Sequence, residues 1–354
     1  MHIKNIHILS RKRFWAGILL AQFVLFFIFS KSEITVQFFE RFFEFQKHFH
    51  QRIFADIPFS VGDVGYILLI TAFIYFLIKI SNKKTRRSYL LNTLILLNIL
   101  YFTYQLFWGM LYFQEPIINK LPKEEITLEE TKALTVQYLE YCRQLRTSVP
   151  EDENGIFKIE DAESLQKEIL YQMNHLPAFL NPKNASSINF IKPSLFKGIM
   201  SYTGILGYYN PFTAEAQYNA ELPATYLPFT FAHESAHQLG YAREEEANFI
   251  GYLVGKNSGN KELNYSTSYF VLKSLLNSLA EKNPEFVAQI INEYSPAMKR
   301  DRNAEKKFVQ EHKGFLDTFF GFTNDLFLKT NQQDGSVTYS YFVDLMVRYE
   351  RNSN

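Results

Sequence analysis

His233 and His237 stand four residues apart with Glu234 beside the first, inside the segment 229–254, FTFAHESAHQLGYAREEEANFIGYLV. In a helix that spacing stacks two imidazoles one turn apart, so both can offer a ring nitrogen to a single zinc ion, as in the H-E-x-x-H pattern of zinc peptidases. Glu234 then stands where it can take a proton from an activated water. The plainer alternative is a solvated helix face carrying two ordinary imidazoles. Against it, the flanks FTFA and ANFIGYL are apolar or small, which points to an interior where unpaired imidazoles and carboxylates are costly.

A catalytic zinc usually has three protein ligands and one open position. Gly240 ends the helix that carries the histidines, and AREEEANFIGYLVG begins another that can swing a carboxylate back toward them. The metzincin arrangement needs a histidine where this chain has Arg243, so the third ligand is expected to be a glutamate. Glu244 precedes Asn248 by four residues and shares its helix face, so Asn248 could serve as an orienting amide behind a ligand. Glu246 is the alternative third ligand, about half a turn away. Glu245 reads as a charge that merely suits the first turn of a helix.

These residues need a scaffold, and the apolar residues are distributed unevenly enough to show what it is. The chain has 354 residues, 47% hydrophobic and 21% charged, but the long uncharged runs crowd into the first 113 positions. Three of them, at about 14–30, 64–80 and 89–113, approach or exceed the roughly 20 residues that cross a bilayer. A cleaved signal peptide is the competing reading of the first, but no small-x-small site precedes Lys31. Lys4, Arg11, Lys12 and Arg13 precede the first run and KKTRR joins the second to the third, so both segments are expected in the cytoplasm. The 31–63 loop and everything after the third span then face outward, on the far side of a bacterial inner membrane. In that loop, VQFFERFFEFQKHFHQRIF has phenylalanines at helical spacing between charges, as expected of an amphipathic helix in the interface or against the spans. His48 and His50 in it point to different helix faces and are read as solvated or interfacial.

From Leu121 the sequence becomes ordinary globular sequence. TLEETKALTVQYLEYCRQLRTSV opens with a capping-box signature and DAESLQKEILYQMNHL reads as a second helix. GILGYYNPFTAEAQYNAELPATYLPFTF, rich in Tyr, Phe and Thr and broken by Gly and Pro, reads as strands and turns. Helices are expected again in SYFVLKSLLNSLAEK, EFVAQIINEYS and FLDTFFGFTNDLFLK. Glu215, in the strand-like stretch, is equally open to a structural role, and that stretch is placed to take up an extended substrate by backbone pairing. Tyr339, Tyr341 and Arg243 are candidates to stabilise an oxyanion, although a core or surface role is the simpler reading of each. Cys142 is the only cysteine, which rules out an intramolecular disulfide and a thiolate zinc cage. The net charge of +1 is silent on a polyanionic partner, but the lack of any basic run interleaved with aromatics in the soluble part argues against nucleic-acid binding.

IPFSVGDVGY, GYYNPFTAEAQYN and HESAHQLGYAREEEANFIGYL together resemble a bacterial membrane-protein family known only as domain of unknown function thirty-eight ten, over nearly the whole chain. More distantly, the paired helices resemble gluzincin membrane peptidases related to the CAAX-prenyl and heat-shock types, in which H-E-x-x-H is followed by E-x-x-x-D. That resemblance implies His233, His237 and Glu244 as ligands and Glu234 as general base. Asn248 stands where those peptidases have aspartate, and an amide cannot supply a carboxylate's charge. The spacer between the two motifs is also much shorter here, which keeps Glu246 open as the ligand.

The expectation is therefore a mainly α chain with a membrane domain over 1–120 and an extracytoplasmic, mostly helical, zincin-like domain with a small β element over 121–354. Its expected activity is that of a membrane-anchored zinc metallopeptidase acting on a periplasmic or membrane-proximal polypeptide. One rival is a zinc-binding sensory or scaffold protein without turnover, which a Glu234→Gln change would leave working. Another is a membrane structural protein with a chance motif, for which purified protein would hold no stoichiometric zinc.

Overall fold

The computed structural model describes residues 11–180, 183–185, 188–314 and 338–351. Three helices in it are long and apolar enough to cross a membrane: α1 (Lys12–Phe29), α3 (Val61–Ser81) and α4 (Arg86–Phe107). At 1.5 Å per residue they measure about 27, 32 and 33 Å, which matches a hydrocarbon core of about 30 Å. Helix α4 lies between the other two. Its Asn98 amide donates to the Trp15 carbonyl at 3.0 Å and its oxygen accepts from Gln22 Nε2 at 3.2 Å, so α1 and α4 are joined by a polar contact sheltered from lipid.

The third span is shorter than the apolar run suggests. Trp108 leaves the helical region with φ −148° and ψ −51°, and Gly109–Phe113 forms a buried 3₁₀ turn. The run from 108 to 113 is apolar because it packs inside the protein, against the elements that carry the histidines.

Helix α2 (Glu33–Phe54) joins α1 to α3 and is apolar on two faces. Val36, Phe39 and Phe43 are buried, while Ile34, Phe38, Phe45, Phe49 and Ile53 form an exposed stripe on the other side. His48 is exposed, and His50 packs edge-on against Phe107 at 5.3 Å.

Beyond the spans the chain is mostly helical. Helix α5 (Leu128–Arg146) starts at the expected capping box, with Thr127 accepting from the Glu130 amide at 3.2 Å and the Glu130 carboxylate accepting from the Thr127 amide at 2.8 Å. There follow α6 (Ala162–Met173), α7 (Lys197–Thr203), α8 (Leu227–Leu239), α9 (Glu244–Lys256), α10 (Lys261–Leu279), α11 (Pro284–Asn292), α12 (Pro296–His312) and α13 (Thr338–Arg351). The expected helix FLDTFFGFTNDLFLK falls outside the described residues. One large core of buried side chains from α5, α6, α8, α9, α10 and α13 surrounds Tyr252, Tyr265 and Phe249. Within it Arg146 is fully buried and grips Asp301 through Nε at 2.6 Å and Nη2 at 3.1 Å.

The small β element is a three-stranded sheet ordered β1 (Lys192–Pro193), β3 (Glu215–Tyr218), β2 (Gly207–Asn210). β1 runs parallel to β3, and β2 pairs antiparallel with it, Gly207 opposite Tyr218 and Asn210 opposite Glu215. Both strands of that hairpin lie in the stretch expected to hold them.

The sheet is bolted to the head of the second span. Glu215 accepts from the amides of Val61 and Gly62 at 3.2 and 2.7 Å, satisfying free donors at the N-terminus of α3, and also from Lys192 Nζ at 2.8 Å. Asp63 accepts from the Leu195 amide at 2.7 Å, from Ser194 Oγ at 3.0 Å and from the Tyr208 hydroxyl. Gln217 donates to Ser60 Oγ at 2.8 Å. A Cβ on Gly62 would lie 2.4 Å from Asn210 Nδ2, so a larger residue there would have to displace the Asn210 side chain. Glu215 is thereby structural.

Candidate metal centre

Helix α8 carries His233, Glu234 and His237, and it ends at Gly240, whose φ of +99° is the left-handed conformation that closes helices. A Cβ there would meet the ring of Phe43 from α2 at 2.6 Å. Lys183 clamps the same turn, donating to the Gly240 carbonyl at 2.7 Å and to Gln114 at 2.9 Å. Burial pushes this ammonium down to about 8. After three residues α9 starts back alongside α8, and Gly251 allows close contact, since a Cβ on it would lie 3.3 Å from the His233 backbone nitrogen. Glu244, Asn248 and Gly251 share the α9 face that meets the histidines.

The geometry around the imidazoles is specific. His233 Nδ1 lies 2.8 Å from Asn248 Oδ1, and His237 Nδ1 lies 2.7 Å from the Tyr241 carbonyl. Both partners accept, so each Nδ1 carries a hydrogen, and in the neutral form of each ring it is Nε2 that offers the lone pair. Those two nitrogens face one carboxylate: His233 Nε2 is 3.3 Å from Glu244 Oε2 and His237 Nε2 is 3.6 Å from Glu244 Oε1. The three groups offer ligand atoms that all lie within 4.8 Å of one another, a cluster able to hold a metal ion. Two neutral imidazoles and one carboxylate suit zinc, and three ligands leave a position open.

Glu246 is not part of that cluster. Its carboxylate is buried, accepting from the Ile117 amide at 2.8 Å and from Arg243 Nη1 at 3.0 Å. Arg243 in turn donates to the Gln114 carbonyl at 2.6 Å, so its guanidinium ties α9 to the chain leaving the membrane and is not directed at a substrate. Glu245 is half-buried and one of its oxygens has no partner, more enclosed than an ordinary first-turn charge. Tyr341 is exposed on α13, and the side chain of Tyr339 lies outside the described residues.

Glu234 is buried, with one carboxylate oxygen unpartnered, and burial pushes it up to about 7 against the opposing pull of His233 and His237. Strand β2 sits directly on it: a Cβ on Gly207 would come within 2.6 Å of Glu234 Oε1. His237 is pushed down most by burial, but the Glu244 carboxylate, Glu234 and the Tyr241 carbonyl together push it up further, and it ends at about 9. Glu244 moves the other way, held well below the usual carboxylate range by the two histidines despite its burial. In the absence of a metal, this cluster holds itself together as an ion pair.

The remaining wall comes from the turn after the third span, which the sequence reading did not assign to the site. The Trp108 ring stands edge-on to His237 at 5.8 Å and against Tyr209 of β2 at 4.5 Å. Its indole nitrogen donates to the Tyr112 hydroxyl at 3.4 Å. Burial, with Tyr104 and the Glu244 charge nearby, raises the Tyr112 phenol and keeps it protonated. A Trp just after a span reads equally well as an interfacial anchor, so composition could not reveal this role.

Neither curated proteins nor solved structures give a match to this chain. A family described as "Protein of unknown function (DUF3810)" matches residues 38–347, a stretch that takes in most of α2, the head of the second span, the sheet, the histidine pair and Glu244. The chain belongs to that family.

Proposed function

We propose that the protein is a membrane-anchored zinc metallopeptidase of gluzincin type, with His233, His237 and Glu244 as ligands and Glu234 as general base. The observation that carries this reading is the convergence of both Nε2 atoms and the Glu244 carboxylate, beside a buried Glu234 with a free oxygen. A bound zinc ion supplies Lewis-acid activation of water and of the scissile carbonyl. Glu234, buried with one carboxylate oxygen unpartnered, is placed to accept a proton from a water in the site and return it to the leaving amine. Asn248 and the Tyr241 carbonyl hold the two rings in the ligating tautomer.

A polypeptide substrate is supported by the sheet. β2 is an edge strand, its Gly207 lies on Glu234, and an extended peptide could pair along its outer side with the scissile bond over the carboxylate. Trp108, one residue past the third span, forms part of the wall, so the substrate is membrane-proximal. The basic residues flanking the first span and joining the second to the third favour a cytoplasmic N-terminus and an outward-facing domain at a bacterial inner membrane.

The test is zinc content and peptide hydrolysis of detergent-purified protein, wild type beside Glu234→Gln and Glu244→Gln. One zinc per chain in wild type and Glu234→Gln, with hydrolysis only in wild type, is the expected result. Zinc without hydrolysis of a diverse quenched-fluorescent peptide library would leave a metal-stabilised scaffold, and no zinc after metal is added back would end both readings.

A further inference from the structure

We infer that helix α7, with the loop before it, is a membrane foot: an apolar patch of the outer domain seated in the lipid interface beside the head of the second span. The inference rests on α1, α3 and α4 crossing a bilayer. It assigns lipid contact to a part of the chain far from any span in sequence.

Height comes first. Helix α3 carries Asp63 in its first turn and is uncharged from Val64 to Ile78, so the plane at which it enters the hydrocarbon lies close to residue 63. The Leu195 amide and Ser194 Oγ donate to the Asp63 carboxylate at 2.7 and 3.0 Å. The chain at 194–195 is therefore held at that plane by direct bonds. Helix α2 marks the same level independently, because residues 30–32 join it to α1 and residues 55–60 join it to α3. Both its ends are tied to the outer ends of spans, so it lies flat, with its stripe of Ile34, Phe38, Phe45, Phe49 and Ile53 unpartnered.

Orientation follows from burial. Met200, Ser201 and Thr203 turn inward, while Ile199 and Tyr202 on the opposite side of the helix are 57% and 45% exposed, and Leu195 in the turn before it is 51% exposed. Phe59, on the connection into α3, is exposed as well. Lys197 is exposed in the same turn, and its long stem can lie along lipid with the ammonium at the headgroups. Tyr202 packs edge-on against His312, a ring with one apolar side and one polar tip at the rim of the patch. Ser194 and Leu195 fix the start of this patch at the head of the span, and lipid is the partner already present at that height. The foot matters to the site because α7 runs through three residues into β2, whose Gly207 rests on Glu234. It holds the proposed base at a set distance above the leaflet.

Cys142 is fully buried, so single introduced cysteines can be labelled selectively. Ile199→Cys, Leu68→Cys on the lipid face of α3, and Lys167→Cys on the exposed side of α6 would each carry an environment-sensitive nitrobenzoxadiazole group. Full-length protein would be reconstituted in phosphatidylcholine–phosphatidylglycerol vesicles with or without brominated acyl chains. The expected result is blue-shifted emission and bromine quenching at 199 comparable with those at 68, and neither at 167. Quenching at 68 but not at 199 overturns the foot and leaves the spans standing. A blue shift at 199 without bromine quenching means that protein covers the patch, which also overturns it. Failure to quench at 68 removes the span reading itself.

Discussion

Replacing Asn248 tests the centre without touching a ligand. Its oxygen accepts from His233 Nδ1 at 2.8 Å, and the residue is only 9% exposed, so water cannot readily replace the amide in Asn248→Ala. Loss of such an orienting partner typically weakens metal binding by about 10- to 100-fold, or about 1.4 to 2.7 kcal/mol. His237 keeps its own acceptor, the Tyr241 carbonyl, which no side-chain change removes. The expected loss is therefore nearer the lower end, about tenfold. Asn248→Asp should act in the opposite direction, by about tenfold at high pH, because a charged acceptor makes the imidazole a better donor to the metal. The assay is competition for zinc against a chromophoric chelator, with a thermal melt of each variant to establish folding. A folded Asn248→Ala with wild-type zinc affinity, or an Asp variant weaker than wild type at high pH, would refute the assignment of His233 Nε2 as a ligand.

Zinc binding should depend on pH with a defined sign. The metal-free His237 sits at about 9, above its ordinary value of 6.5, so zinc must displace a proton, and affinity should rise about tenfold per unit up to pH 9 and then level off. The same raised value, with Glu244 held below its ordinary 4.5, means that the His237–Glu244 pair supports the metal-free fold fully between about pH 4.5 and 6.5, loses that contribution as pH rises through 9, and loses it again in strong acid as Glu244 protonates, which melts with chelator present would show. Gly207→Ala drives a Cβ to 2.6 Å from Glu234 Oε1 and 2.8 Å from the Gln217 carbonyl, and displacement of the base by under 1 Å should cost on the order of 100-fold in turnover with zinc retained. Asp301→Ala removes the buried carboxylate partner of Arg146, leaving the guanidinium with the Glu151 carboxylate and the Gly155 carbonyl, and should destabilise the fold by about 3 kcal/mol, read by denaturant or heat. Glu246→Gln should also lower stability while leaving zinc content unchanged, separating it from Glu244→Gln.

The parts of the site legible in sequence are those fixed by local periodicity. The histidine pair, Glu234 and the shared face of Glu244 and Asn248 follow from helical spacing alone, and the left-handed close at Gly240 follows from residue type. The preference for Glu244 over Glu246 rests on the resemblance to gluzincin peptidases, since helix spacing by itself leaves both open. Glu215 was undecidable because its partners, the Val61 and Gly62 amides, are about 150 residues away in sequence, and pairing across such a distance leaves no periodic trace. The end of the third span was misjudged for a related reason: Trp108 to Phe113 are as apolar as lipid-facing residues, and only packing distinguishes the two. Gly207 carried a faint signal, a glycine opening a tyrosine-rich strand, which often marks a close approach.

The cluster of Phe43, Trp108, Leu111, Tyr112, Tyr209, Ala214 and Ala242 draws on α2, the turn after the third span, the β2–β3 hairpin and the link between the two site helices. A fragment beginning at residue 121, where the composition changes, would keep the histidines and lose four of these side chains. It would open a socket beside Gly240, uncover one face of His237, and leave Glu215 with Lys192 but without the amides it caps. Such a fragment should be insoluble or unable to retain metal. Biochemistry on this family therefore has to begin in detergent or in lipid, with the whole chain.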